Sequence, residues 1–203
     1  MSKAAKTGRR GRVVRKTKET SISVDLDLDG SGNAIVDTGI PFLDHMLDSF
    51  SRHSLIDLTI KADGDLHIDD HHTIEDVGIA LGQAVDQALG DKKGIVRFGS
   101  AEVPLDEALV AVTVDLSGRP YMVYNVKFQS QRVGRFDCEL INDFMQAFMN
   151  AAAMNLHINM RYGRNAHHVI EAMFKALARA MSAACSIDSR VTGVPSTKGT
   201  LRG

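Results

Sequence analysis

The sequence predicts an α/β fold of the α+β type, built from one βα half-domain used twice. Two long helical stretches open on the same pattern, His71-His72-Thr73-Ile74-Glu75 and His167-His168-Val169-Ile170-Glu171. Strand-like runs precede each of them, and both halves read in the same order of strand pair, helix, strand, helix.

The elements follow from local pattern. Ser21 to Leu28 alternates polar and apolar residues with period two, the mark of a half-buried strand, and Asp29-Gly30-Ser31-Gly32-Asn33 supplies turn chemistry for a hairpin. Pro41 suits a first helical position, and Phe42, Leu43, Met46, Leu47 and Phe50 form one stripe of a helix reaching about Ser51. Leu55 to Ile60 reads as a strand closed by the turn Asp63-Gly64-Asp65. Asp69 or Asp70 can cap a long helix that Gly90 ends. In the second half, Leu109–Leu116 and Tyr121–Phe128 read as strands around the turn Ser117-Gly118-Arg119-Pro120. A helix from about Cys138 to Ala153, a strand Asn155–Met160 and a helix from about Ala166 to Ala184 complete it. His67 and His157 fall on strands and read as structural.

The duplication extends past the motif. Ala80-Leu81 aligns with Ala176-Leu177, Ala84 with Ala180, and Leu58-Thr59-Ile60 with Leu156-His157-Ile158. A two-residue shift, for a longer first turn, places Asp44-His45-Met46 on Asn142-Asp143-Phe144. The expected organisation is a basic, flexible tail over 1–12, half-repeats over 13–92 and 93–190, and a flexible C-terminal segment over 191–203, all in one integrated domain.

Composition narrows the function. With 44% hydrophobic and 24% charged residues in 203, the chain is ordinary for a globular protein. No run approaches the ~18 apolar residues of a membrane span, and the basic N-terminus lacks the apolar core of a secretory signal. Cys138 and Cys185 are far apart and read as reduced packing residues, which points to the cytoplasm. A net charge of −1 gives no sign of nucleic-acid binding. The exception is the acid-free start with Lys3, Lys6, Arg9, Arg10, Arg12, Arg15, Lys16 and Lys18, read as a solvated tail.

The repeated motif carries the chemistry. At ~100° per residue, Glu75 projects roughly 40° from His71 and His72 roughly 100° from it, so all three lie on one side of the first turn. Imidazole and carboxylate donors without thiolates suit Mn, Fe, Zn or Ni. One helix offers only part of a coordination shell, so two motifs predict two metal ions needing further ligands. His45 is the leading candidate because its helix belongs to the first repeat, and its counterpart Asp143 can ligate as a carboxylate. The spacing differs from the zincin and di-iron patterns. Lys175, one turn beyond Glu171, shares the face of the metal donors. Arg97, Arg119 and the segment Pro195-Ser196-Thr197-Lys198-Gly199 offer cations, hydroxyls and N–H groups for a phosphate.

Several stretches resemble the imidazoleglycerol-phosphate dehydratase family of histidine biosynthesis. They are Arg15–Thr20, Gly39–Asp48, Asp69–Asp76, Leu116–Tyr121, His167–Ala172, Phe174–Ala176 and Gly193–Gly199, covering nearly the whole chain from about residue 9. The resemblance implies a four-helix layer between two four-stranded mixed sheets, and a 24-subunit homo-oligomer with its sites where subunits meet. It implies two Mn2+ ions per site. By position, His45, His71, His72, Glu75, His167, His168 and Glu171 match the metal ligands. Asp143 departs from the histidine that many members carry there. The resemblance implies dehydration of imidazole glycerol phosphate to imidazole acetol phosphate. Metals on the ring nitrogens would favour an imidazolate, which expels hydroxide through a diazafulvene-type intermediate. Glu19, Glu75 and Glu171 are then the candidates for proton handling. Arg97, Arg119, Lys175, Ser196 and Lys198 match the phosphate-contacting positions, and Glu19, His45 and His53 are further substrate contacts. Three other readings compete: a hydrolase using metal-bound hydroxide, a non-enzymatic metal-storage assembly, and an RNA-binding module using the basic arm.

Overall fold

The structure, a computed structural model, describes residues 8–201. Lys3 and Lys6, the outer part of the expected tail, lie outside the described residues. The first half runs β1 (Arg10–Lys16), β2 (Thr20–Asp27), β3 (Ala34–Asp37), α1 (Pro41–Ser54), β4 (Asp57–Gly64) and α2 (His71–Leu89). The second half runs β5 (Phe98–Leu105), β6 (Ala108–Asp115), β7 (Tyr121–Asn125), a small hairpin β8 (Arg132–Val133) and β9 (Phe136–Asp137), α3 (Leu140–Ala151), β10 (Asn155–Tyr162) and α4 (Ala166–Cys185). The sheets have strand orders β1-β2-β4-β3 and β5-β6-β10-β7, the same topology twice. The four helices lie between them, α2 on β1 and β2, α4 on β5 and β6. Helices also pair across the halves, α1 with α4 and α2 with α3.

Alternation builds the core. Ile22, Val24 and Leu26 of β2, Leu58 and Ile60 of β4, Val110, Val112 and Val114 of β6, and Leu156 and Ile158 of β10 are all buried against the helices. Burying one such side chain is worth about 1.5–3 kcal/mol, so the inner strands anchor both halves. Helix and sheet approach closely at one repeated contact. A Cβ on Gly11 of β1 would stand 1.9 Å from the Ala84 carbonyl oxygen, and one on Gly99 of β5 1.9 Å from that of Ala180. The alignment of Ala84 with Ala180 is thus a structural equivalence. Both cysteines are buried and free, and burial pushes the Cys185 thiol up to about 12. Among the described residues, no helix is long and apolar enough to cross a membrane.

Several expectations are corrected. The turn over 29–33 does not close a hairpin: β2 pairs antiparallel with β1 and β4, while β3 pairs parallel with β4. Asp57 draws the turn there, its Oδ1 accepting from the backbone N–H of Ser31 and Asn33 at 2.8 Å each. Likewise β7 pairs parallel with β10, not with β6. Arg10 to Arg12 belong to β1 rather than to a tail, because their backbone pairs in register with Asp27 to Asp25 of β2 and Gly11 and Val13 are buried; Arg9, Arg10 and Arg12 also face Asp29, Asp27 and Asp25. His67 sits in the turn before α2, not on a strand, whereas His157 does lie on β10. The C-terminal segment is tied down as far as it is described: Gly94 N–H donates to Gly193 O at 3.0 Å, and Leu201 is buried.

Candidate active site

The two motifs open α2 and α4 in the same way. Asp69 Oδ1 accepts from His71 N–H at 2.8 Å, and Asn165 Oδ1 from His167 N–H at 2.9 Å. Each bond satisfies an otherwise orphaned helical donor and fixes the first turn. The positive end of the helix dipole lies under both motifs.

One metal-competent cluster forms across the halves. His45 of α1 meets His167 and Glu171 of α4, with one ligand atom from each lying within 4.8 Å of the others. His167 Nε2 is 3.1 Å and His45 Nε2 3.5 Å from Glu171 Oε2. Lys175 Nζ, one turn on, is 2.8 Å from Glu171 Oε1. Burial opposes ionisation of Glu171, but Lys175, His167 and His45 outweigh it and hold its carboxyl below the usual range. His53, two turns beyond His45, is pushed down by burial and then by the charges of Lys175 and Arg179.

The pseudo-equivalent place, between α2 and α3, holds a donor pair. His71 Nδ1 stands 3.6 Å from Asp143 Oδ2, both side chains about half exposed (46% and 40%). Glu75, equivalent to Glu171, is exposed, and Ile79 occupies the place of Lys175. The expected pairing of His45 with the first motif is therefore corrected. His45 stands beside the second motif and Asp143 beside the first, because α1 packs on α4 and α3 on α2.

His72 and His168 turn away from these clusters. His72 Nδ1 is 3.0 Å from Asp65 Oδ2, and His168 Nδ1 is 2.7 Å from Glu107 Oε2. The roughly 100° between neighbouring helical positions is enough to aim each pair of rings at different surroundings. Hydrogen bonds donated to these carboxylates raise both histidines above their ordinary value. The His168 contact, followed by the Asn165 N–H, lowers Glu107 to about 2.

The basic groups gather elsewhere. Arg97 grips Asp115 through Nε and Nη2 at 2.7 and 3.1 Å, and donates through Nη1 to Pro195 O at 2.8 Å. This brings Arg97 to the segment holding Ser196 and Lys198, where Ser196 Oγ accepts from Lys198 N–H at 3.2 Å. Arg119 is exposed in its turn, with its carbonyl held by Asn155 Nδ2 at 2.6 Å. Arg97 N–H also bonds Ala184 O near the far end of α4, so this group lies ~20 Å along the helix from Glu171 at 1.5 Å per residue. Glu19 is exposed in the β1–β2 turn, which Thr20 Oγ1 and Arg15 Nε fasten to Asp76 of α2. Its carboxylate makes no hydrogen bond or ion pair among the described residues.

Comparison with known proteins now decides the family. The family model described as "Imidazoleglycerol-phosphate dehydratase" matches residues 38–181. The chain belongs to the imidazoleglycerol-phosphate dehydratase family. It is 58% identical to the imidazoleglycerol-phosphate dehydratase of Syntrophus aciditrophicus over 194 residues, covering 95% of this chain and 98% of that one. It is 57% identical to that of Paracoccus denitrificans, covering 95% and 100%. The crystal structure of the Staphylococcus aureus enzyme superimposes with a TM-score of 0.81 at 38% identity, covering 88% of this chain and 99% of that one. That of Pyrococcus furiosus, in complex with (S)-C348, gives 0.81 at 36% identity, covering 93% and 99%. These relatives are named for a dehydratase, a hydro-lyase activity.

Within this family member, sequence reasoning missed Asp65 and Glu107. Asp65 was legible only as a turn residue. Glu107 sits in the turn between β5 and β6, and no strand was expected at β5, so nothing drew attention to it.

Proposed function

We propose that the chain dehydrates imidazole glycerol phosphate to imidazole acetol phosphate in cytoplasmic histidine biosynthesis, using two divalent metal ions, with Mn2+ suited to the donors. The observation that carries the metal reading is the convergence of His45, His167 and Glu171 from two repeats onto one point. Two imidazoles and a carboxylate, with no thiolate, match borderline to hard divalent ions. His71, Asp143 and Glu75 supply the pseudo-equivalent set. His72 and His168, whose Nδ1 atoms are already engaged, are left with Nε2 for ligation.

The distances also favour assembly. The ~20 Å along α4 between Glu171 and the Arg97–Lys198 region exceeds the reach of a phosphorylated imidazole–glycerol chain. A complete site therefore takes its phosphate-binding residues, or further metal ligands, from another copy. That fits a 24-subunit assembly with its sites at subunit contacts.

When bound, the metal ions favour the anionic form of the substrate's imidazole. The hydroxyl on the carbon attached to the ring then leaves, giving a diazafulvene-type intermediate. A glutamate removes hydrogen from the next carbon, and an acid delivers a proton to the carbon beside the ring as the enol becomes the ketone; one water is lost. Glu171, held ionised by Lys175, suits the base role, and Glu19, exposed with a free carboxylate, suits the second proton transfer. Glu75 is the remaining candidate. Lys175, together with Arg97, Arg119, Ser196 and Lys198 brought from another copy, would hold the phosphate, and His53 lines the same α1–α4 surface as Lys175. Purified protein supplied with Mn2+ should form acetol phosphate from imidazole glycerol phosphate. Folded, metal-loaded protein without turnover would refute the reading.

A further inference from the structure

We propose that Asp65 and Glu107 are positioning residues. Each fixes one motif histidine, His72 and His168 respectively, in the tautomer whose Nε2 lone pair faces outward to take a metal ion. The inference rests on the metal reading above and extends it to two residues outside the motifs.

An ionised carboxylate only accepts hydrogen bonds, so a neutral imidazole facing one must carry its proton on the facing nitrogen. Here that nitrogen is Nδ1 in both rings, at 3.0 Å from Asp65 and 2.7 Å from Glu107. The proton on Nδ1 leaves Nε2 as the basic nitrogen, and the contact sets the plane of the ring. Both carboxylates are held for this contact. The Asp65 side chain is 10% exposed, and its other oxygen is buried without a hydrogen-bond partner among the described residues. Keeping such an oxygen out of water is unfavourable, so the His72 contact is made at a cost that the surrounding fold offsets. Glu107 has its two oxygens assigned separately: Oε1 accepts from Asn165 and Arg164 N–H at 2.7 and 3.1 Å, leaving Oε2 for His168. Asp106, largely exposed, lies 3.8 Å from His168 Nε2 on the open side.

The repeat strengthens the case, because the two carboxylates are not equivalents. Glu107 stands 88 positions after Glu19, the offset that also relates Gly99 to Gly11 and Val114 to Leu26. In the second half the first strand-to-strand turn thus orients the histidine. In the first half Asp65, from the turn after β4, does so. Different loops reach the same imidazole nitrogen, and the Glu19 carboxylate makes no hydrogen bond or ion pair among the described residues.

The test uses Asp65→Asn and Glu107→Gln in the full chain. A side-chain amide turned to donate to Nδ1 places the ring proton on Nε2 and blocks ligation. In Glu107→Gln the amide keeps an oxygen to accept from the Arg164 and Asn165 N–H groups. Mn2+ affinity, read from free aqueous Mn2+ by electron paramagnetic resonance, should weaken about 10–100-fold in each variant. Unchanged circular dichroism and melting temperature would show that the fold is kept. Folded variants that bind within about twofold of the parent would overturn the proposal. Independently of any metal, solid-state NMR of metal-free protein labelled with 15N-histidine should show His72 and His168 protonated at Nδ1, the first losing this in Asp65→Asn and the second in Glu107→Gln. His72 or His168 protonated at Nε2 in the parent would overturn it as well. A parent that binds no Mn2+ but shows the expected tautomers would sink the metal reading and leave the positioning claim standing on its own.

Discussion

Replacing Gly11 with alanine probes how the sheets hold α2 and α4, the helices that open on the repeated motif. In the middle of a strand, Gly to Ala ordinarily stabilises, since alanine loses less backbone entropy on folding. Here the sign should reverse. The new Cβ would sit 1.9 Å from Ala84 O, 2.7 Å from its carbonyl carbon and 2.9 Å from its Cα, whereas ordinary contacts begin at 3.4 Å. Strand β1 and helix α2 would have to separate by about 1.5 Å, and all three offending atoms are backbone that no rotamer change can move. The cost belongs at or above the upper end of overpacking penalties, about 3 kcal/mol, or ~6–12 °C in melting temperature for a chain of this size. Gly99→Ala meets Ala180 at the same distance and should cost as much. The two variants should differ at the site. Gly11→Ala displaces α2 and disturbs His71 and Glu75, whereas Gly99→Ala displaces α4 and disturbs His167 and Glu171. Thermal unfolding of chelated protein, followed by Mn2+ titration, measures both effects. A melting temperature within ~2 °C of the parent for either variant would refute the packing argument.

Further expectations concern single residues. Glu171→Gln should lower kcat by at least ~100-fold while phosphate binding, measured with inorganic phosphate, survives; full activity would remove Glu171 from the proton chemistry. Lys198→Ala should raise KM about tenfold or more with kcat little changed, as expected for a lost charged contact; an unchanged KM would count against the phosphate role of the C-terminal segment. The Asp57 carboxyl is held below its ordinary value first by Asn33 N–H and also by those of Ser31 and Gly32, against some desolvation. Because the folded value is depressed, its stabilisation is present above the unfolded value near 3.8 and lost as pH falls through the folded one. Asp57→Asn should therefore cost more stability at pH 7 than at acid pH in urea unfolding. Equal losses at both pH values would contradict this.

The fold was legible where burial is strongest. The inner strands β2, β4, β6 and β10 and all four helices follow from apolar periodicity, because one face of each is packed. The outer strands β1 and β5 were not. Arg10-Gly11-Arg12-Val13-Val14-Arg15-Lys16 buries only Gly11 and Val13, so its charges masked the pairing with β2. The turn over 29–33 was recognised, but its partner was misjudged, since Asp57, 24 residues beyond Asn33, decides where the chain goes. At the site, the motif histidines and glutamates were visible through their repetition. The exchange of His45 and Asp143 between halves was invisible, because it depends on α1 packing against α4 and α3 against α2, contacts that no local pattern encodes.

Two pseudo-equivalent donor sets, each built across the repeat, should hold one metal ion apiece. Metal content of Mn2+-loaded, exhaustively desalted protein tests it most directly. Two Mn2+ per chain are expected in the parent, and one in His45→Ala/Glu171→Ala protein, which loses the α1–α4 donors and keeps those between α2 and α3. A parent holding none, or a variant still holding two, would contradict it.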